Sequence, residues 1–184
     1  MLLDDFGSDR IKDVYRLHES NYAFLKVDVK SKIEKILQIW QLFIKTQHRI
    51  LLTSSDHKSL DYIWVYLLKH KIKLVRFAWK LNDVNKIVKQ YTVTKNSSES
   101  KVDISKIVKF NFLGNFDALR KFIDKNYIFA STISDSTNKI FRLARPFELM
   151  IIDQCSTEVI PKALGKIDIA KQFVITVPNI TNHE

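Results

Sequence analysis

The chain has 184 residues, 46% of them apolar, one cysteine and a formal charge of +10. That length and apolar content suit one compact core, so residues 1–184 are expected to form a single domain. The lone Cys155 excludes an internal disulfide and any four-cysteine zinc or iron–sulfur site built by this chain alone, and its expected role is a small buried apolar residue. The apolar runs are strand-sized, and Met1-Leu-Leu-Asp-Asp has neither a basic flank nor a secretory core, so the chain reads as intracellular with no membrane span.

Strand-like and helix-like periods alternate along the chain, which predicts an α/β sheet with crossover helices. Tyr22 to Val27 reads as a first strand. Ile33, Ile36, Leu37, Trp40, Phe43 and Ile44 then recur three and four apart, giving one apolar helix face of about four turns. Arg49 to Thr53 is the next strand, and Ser54-Ser-Asp-His57 supplies helix-cap chemistry before Leu60, Ile63, Trp64, Leu67 and Leu68. Lys73 to Ala78 gives a third strand. The tract 92–105 is polar and aperiodic, so it reads as a surface loop or disordered insertion. A helix around Phe116 to Ile123 follows, then strands at Tyr127 to Ala130, Glu148 to Ile152 and Gln172 to Thr176.

The positive charge favours a polyanionic partner, because clustered Lys and Arg gain affinity by releasing counterions from phosphates. A chain rich in Ile, Lys and Asn can carry the same charge through composition alone. The histidines His18, His48, His57, His70 and His183 show no metal-ligand spacing with acids or with Cys155. Ser54 and Ser55 beside His57 have the spacing of a capped helix start, without the glycine elbow of a nucleophilic serine. Trp64 falls on the buried helix face, whereas Trp79 in Phe77-Ala-Trp-Lys80 is a candidate exposed aromatic for base stacking.

Five segments, in order, carry a resemblance to the eukaryotic DNA replication ATP-dependent helicase/nuclease family within the superfamily-one helicases. Arg49 to Asp61, RILLTSSDHKSLD, is similar to that family's strand and motif Ia, with Thr53, Ser54, His57 and Asp61 on matching positions. Lys71 to Arg76 resembles the following strand, and Phe129-Ala-Ser-Thr132 the VATT segment. Phe147 to Ser156, FELMIIDQCS, is similar to the motif F-D-x-x-I-V-D-E-A-S, and Pro161 to Val174 to the stretch leading into the next strand. The resemblance covers about residues 22 to 177. It implies a RecA-like, P-loop NTPase type parallel sheet flanked by helices, the first of the family's two motor domains.

What the resemblance implies about chemistry is carried residue by residue. Asp153 corresponds to the carboxylate that holds the nucleotide's Mg²⁺, and Gln154 stands where the family has the glutamate that activates water. Between the first strand and helix the family has G-x-x-x-x-G-K-T, whose amides curl around phosphate. Here the residues are Phe24 to Ile33, FLKVDVKSKI, with no glycine. Either Lys30, followed by Ser31, or Lys32, followed by Ile33, could replace the loop lysine; both could equally belong to a solvated first helical turn. Thr53, Ser54, His57 and Thr132 correspond to positions along the single-stranded DNA path.

Thr176 to Glu184 lacks the glycine, aspartate and glutamine of the motif V-G-D-x-x-Q-L-P-P, and the family's second motor and nuclease domains have no counterpart. The expectation is therefore a truncated, catalytically impaired helicase motor, with ATP, Mg²⁺, single-stranded DNA, replication or repair proteins and a nuclear setting implied by the family. A noncatalytic DNA-contacting or protein-interaction scaffold, or a non-functional fragment, are the other readings.

Overall fold

The computed structural model describes residues 21–27, 31–44, 48–72, 74–78, 80–89, 91–93, 121, 123–124, 128–137, 141–142, 145–153 and 168–178. Seven strands form one sheet: β1 (Tyr22–Val27), β2 (Ile50–Ser54), β3 (Val75–Phe77), β4 (Thr92–Val93), β5 (Ile128–Thr132), β6 (Phe147–Asp153) and β7 (Ala170–Pro178). Their order is β1-β7-β6-β2-β5-β3-β4, and every pairing is parallel. Helix α1 (Lys32–Ile44) follows β1, and α2 (His57–Lys69) follows β2; a 3-10 turn (Leu81–Asp83) and the short α3 (Lys86–Lys89) lie between β3 and β4. The α/β, RecA-like parallel sheet flanked by helices is thus the architecture of the molecule.

Burial on both faces explains the near-continuous apolar strands. All five residues of β2 and all five of β5 are buried, as parallel sheets covered on two sides require. Ile33, Ile36 and Trp40 of α1 and Leu60, Ile63, Trp64 and Leu67 of α2 join Leu25, Ile50, Leu52, Leu149, Ile151 and Val174 in one core layer. The opposite face carries Leu51, Phe129, Met150, Ile152, Phe173 and Ile175, with Phe147 packed edge-on against Phe129 at 5.7 Å between centroids.

Several boundaries differ from the sequence expectation. The polar tract read as a loop from residue 92 opens as a strand: Thr92 and Val93 pair with Arg76 and Phe77. Thr92 donates its hydroxyl to Val88 O at 2.8 Å, so a residue that looked loop-like is buried at the sheet edge. The rest of that tract lies outside the described residues. β3 is shorter than expected and β7 longer. Of the helix expected around Phe116 to Ile123, the described residues 121, 123 and 124 are helical.

Asp56 caps α2 by accepting the Ser59 N–H at 2.8 Å. Partial burial pushes its carboxyl up, but hydrogen bonds from Ser59, Ser55 and Lys58 outweigh this and hold it below the ordinary carboxylate value. Among the described residues no helix is long and apolar enough to cross a membrane.

Candidate functional site

In open α/β sheets ligands bind beyond the carboxyl ends of the strands, and that is where the polar residues of this sheet converge. Strand register builds a single row there. Leu25 stands opposite Thr176, Asp153 opposite Ser54, and Ser54 opposite Thr132. Registered partners of a parallel sheet share a face, so Thr176, Asp153, Ser54 and Thr132 form a polar row on the α1 and α2 side. Thr53 is one residue out of phase and belongs to the other face, where its hydroxyl donates to Ile151 O at 3.1 Å.

One end of the row is an ion pair. Lys32, the first residue of α1, places Nζ 3.0 Å from Asp153 Oδ2, while Thr176 donates its hydroxyl to Asp153 Oδ1 at 2.8 Å. Asp153 is fully buried and the Lys32 side chain only 12% exposed, so the pair sits in a low-dielectric pocket at a helix N-terminus. Ser31 lies immediately before α1, and its carbonyl accepts the Lys35 N–H at 3.0 Å. Ile33, where a hydroxyl would follow the lysine, is buried in the core. Lys30 and Gln154 lie outside the described residues.

Ser54 is the exception in the row. Its hydroxyl is buried and has no hydrogen-bond partner among the described residues, although Asp153 and Thr132 flank it in register. An unsatisfied buried hydroxyl costs on the order of 1–3 kcal/mol. Thr132 is engaged, its Oγ1 accepting the Asp135 N–H at 3.0 Å.

The other end of the row is a network that the sequence did not suggest. Arg76, fully buried on β3, donates Nε to Asp61 Oδ1 at 2.9 Å and Nη2 to His57 Nδ1 at 2.8 Å, and Nη1 bonds Phe77 O. Asp61 Oδ2 accepts the Asn85 N–H at 2.7 Å, and Asp135 Oδ2 stands 3.8 Å from His57 Nε2. Burial lowers the Arg76 guanidinium from its ordinary value, and Asp61, with a smaller contribution from Asp135, opposes that shift. Asp61 and Arg76 are fifteen positions apart. One signal was available: a charged residue within the apolar run Leu74 to Ala78 requires a buried partner.

The structure therefore brings Ser54, His57, Thr132, Lys32 and Asp153 to one rim and leaves Thr53 on the opposite face. Thr53, Ser54 and Thr132 are buried, and only His57 of the four proposed track residues is partly exposed. Among the described residues no cluster of three His, Cys, Asp or Glu is placed to hold a metal ion; the hard oxygen donors at Asp153, Thr176 and Ser54 suit a magnesium ion better than a soft metal.

No family model matches the chain. A distant likeness exists to the DNA replication ATP-dependent helicase/nuclease DNA2 of Saccharomyces cerevisiae, 25% identical over 149 residues. It covers 78% of this chain, which spans 8% of the length of that protein. The comparison supports a helicase-like relationship at a coarse level.

Proposed function

We propose that this chain is a helicase-type motor domain with a degenerate nucleotide site, corresponding to the first motor domain of the helicase/nuclease family, and that it contacts single-stranded DNA without hydrolysing ATP at a useful rate. The observation that carries this reading is the Lys32–Asp153 pair at the carboxyl end of the sheet, beside the N-terminus of α1. A lysine and a carboxylate there are what a nucleotide's phosphates and its Mg²⁺ need. In this reading Lys32 is taken as the phosphate lysine. Asp153 would hold the cation once Lys32 turned to phosphate, and the ion would supply charge neutralisation at the phosphates.

Three residue choices support impairment. The segment leading to Lys32 has no glycine to curl around phosphate, Ile33 cannot lend a hydroxyl to the cation, and Gln154 cannot take a proton from water. DNA contact is assigned to the rim around His57, with Ser54 and Thr132 as its floor, in a nuclear replication or repair setting. The second reading, a noncatalytic scaffold, draws support from Asp153 itself, both of whose oxygens are already bonded within the protein.

The test is binding of single-stranded DNA at several salt concentrations. Phosphate contacts predict a logarithmic slope of about 0.7 per phosphate neutralised. Wild-type chain, a Ser54/His57/Thr132 alanine variant and a variant neutralised at Lys95 and Lys101 are compared. Selective loss in the first variant supports the rim, selective loss in the second supports generic charge, and no binding even at low salt leaves the scaffold reading.

A further inference from the structure

Arginine has five N–H donors and no lone pair to offer. The 2.8 Å contact from Arg76 Nη2 to His57 Nδ1 therefore has one polarity: the guanidinium donates and Nδ1 accepts. A neutral imidazole that accepts at Nδ1 carries its proton on Nε2. Arg76 is in turn fixed by Asp61, and Asp61 by the Asn85 N–H, so the orientation is set three bonds deep. The His57 side chain is 23% exposed, and Asp135 Oδ2, at 3.8 Å from Nε2, is beyond hydrogen-bond reach.

We infer that Arg76 and Asp61 are positioning residues that hold His57 as the Nε2–H tautomer, so that His57 presents a hydrogen-bond donor to a phosphate oxygen of single-stranded DNA. This rests on the DNA reading above and sharpens it by naming the atom and its partner. A donor at this point donates to any phosphate oxygen and reads nothing of the bases, which suits a sequence-independent track. Asp135 opposes the same phosphate, so the contact is weaker than a lone donor would give, and Asp135→Asn should tighten binding.

The experiment pairs a spectrum with two isosteric substitutions. Long-range nitrogen–proton correlation of the intact chain above neutral pH should report His57 protonated at Nε2; Arg76→Lys, which keeps the charge beside Asp61 but cannot reach both partners in the same way, should give mixed tautomers. In binding to a labelled oligothymidylate, His57→Gln places an amide donor near the ε position and should retain affinity. His57→Asn places it near the δ position and should lose about tenfold, the worth of one hydrogen bond to a charged acceptor.

A wild-type ring protonated at Nδ1 overturns the inference, and so do Gln and Asn variants that both bind as wild type; the network is then a structural clamp joining α2 to β3. If Arg76→Lys does not fold, the wild-type spectrum and the Gln/Asn pair decide alone. A wild-type chain that binds no oligothymidylate at low salt removes the DNA reading and this contact with it, whereas binding that ignores the substitutions removes this inference only.

Discussion

Lys32 and Asp153 lie 121 positions apart in sequence and meet at 3.0 Å, closing the gap between the start of α1 and the end of β6 across the intervening strand β7. Thr176, at that strand, completes the arrangement by bonding the second carboxylate oxygen. The contact on which the proposed nucleotide site rests also ties three elements of the fold together.

That double role gives a stability prediction. Breaking a buried pair from one side strands the other charge, which costs about 3–5 kcal/mol where burial is complete. Lys32 keeps some solvent contact, so Lys32→Met should cost near the lower end, about 3 kcal/mol. Adding Asp153→Leu should recover part of the loss, because no charge is then left buried. Urea denaturation of the two singles and the double measures the coupling; a Lys32→Met loss of only a few tenths of a kcal/mol, as for exposed pairs, would show that solvent screens the contact.

The buried Ser54 hydroxyl predicts the opposite sign. Replacing an unpartnered polar group with an apolar one removes its desolvation cost, so Ser54→Ala should leave the ligand-free chain as stable or raise its stability by about 1 kcal/mol. Thermal and urea unfolding without DNA or nucleotide read this directly. A loss above about 1 kcal/mol would mean that the hydroxyl has a partner in solution, such as a buried water.

Much of this architecture is legible in local pattern. Ile33, Ile36 and Trp40 fix the buried face of α1, and the apolar run before Asp153 fixes β6, because period and burial are properties of short segments. What pattern could not decide is long-range. That Lys32 meets an acid on β6 is a contact across 121 positions, and Arg76 looks like an ordinary strand polar residue until Asp61 and His57 fold against it. Thr53 and Ser54 match the same motif, yet adjacent strand residues point to opposite faces, so they cannot line one track together. Thr92 and Val93 stay hidden because a two-residue edge strand has too few positions to show a period.

The cap of α2 carries a pH dependence with a definite sign. The folded-state carboxyl of Asp56 lies below the ordinary value of 3.8, chiefly against a burial effect that would raise it, because Ser59, Ser55 and Lys58 bond the charged form. The stability it contributes is fully present above the unfolded value and is lost as pH falls through the folded one. Asp56→Ala should therefore cost about 1 kcal/mol at neutral pH and progressively less in acid below the ordinary carboxylate value. Urea midpoints for both chains across the acid range test this; a constant difference at every pH would assign the effect to backbone propensity instead of the charged cap.

Nucleotide chemistry supplies the last prediction. With no glycine in the segment Phe24 to Ile33 and with Gln154 in place of a carboxylate, ATP should be neither bound tightly nor hydrolysed at a useful rate. A neutral amide cannot accept the water's proton, and loss of a general base lowers rates by about 10²–10⁴. Restoring Gln154→Glu alone should not rescue turnover, since the segment before Lys32 still has no glycine to curl around phosphate and Ile33 still offers the cation no hydroxyl. The measurement is titration with a fluorescent ATP analogue in Mg²⁺, followed by phosphate release for wild type and Gln154→Glu. Micromolar binding that Lys32→Ala abolishes and Lys30→Ala leaves intact would identify Lys32 as a working phosphate lysine and overturn the binding half. Turnover in the Gln154→Glu chain would overturn the rest, placing the whole lesion at one side chain.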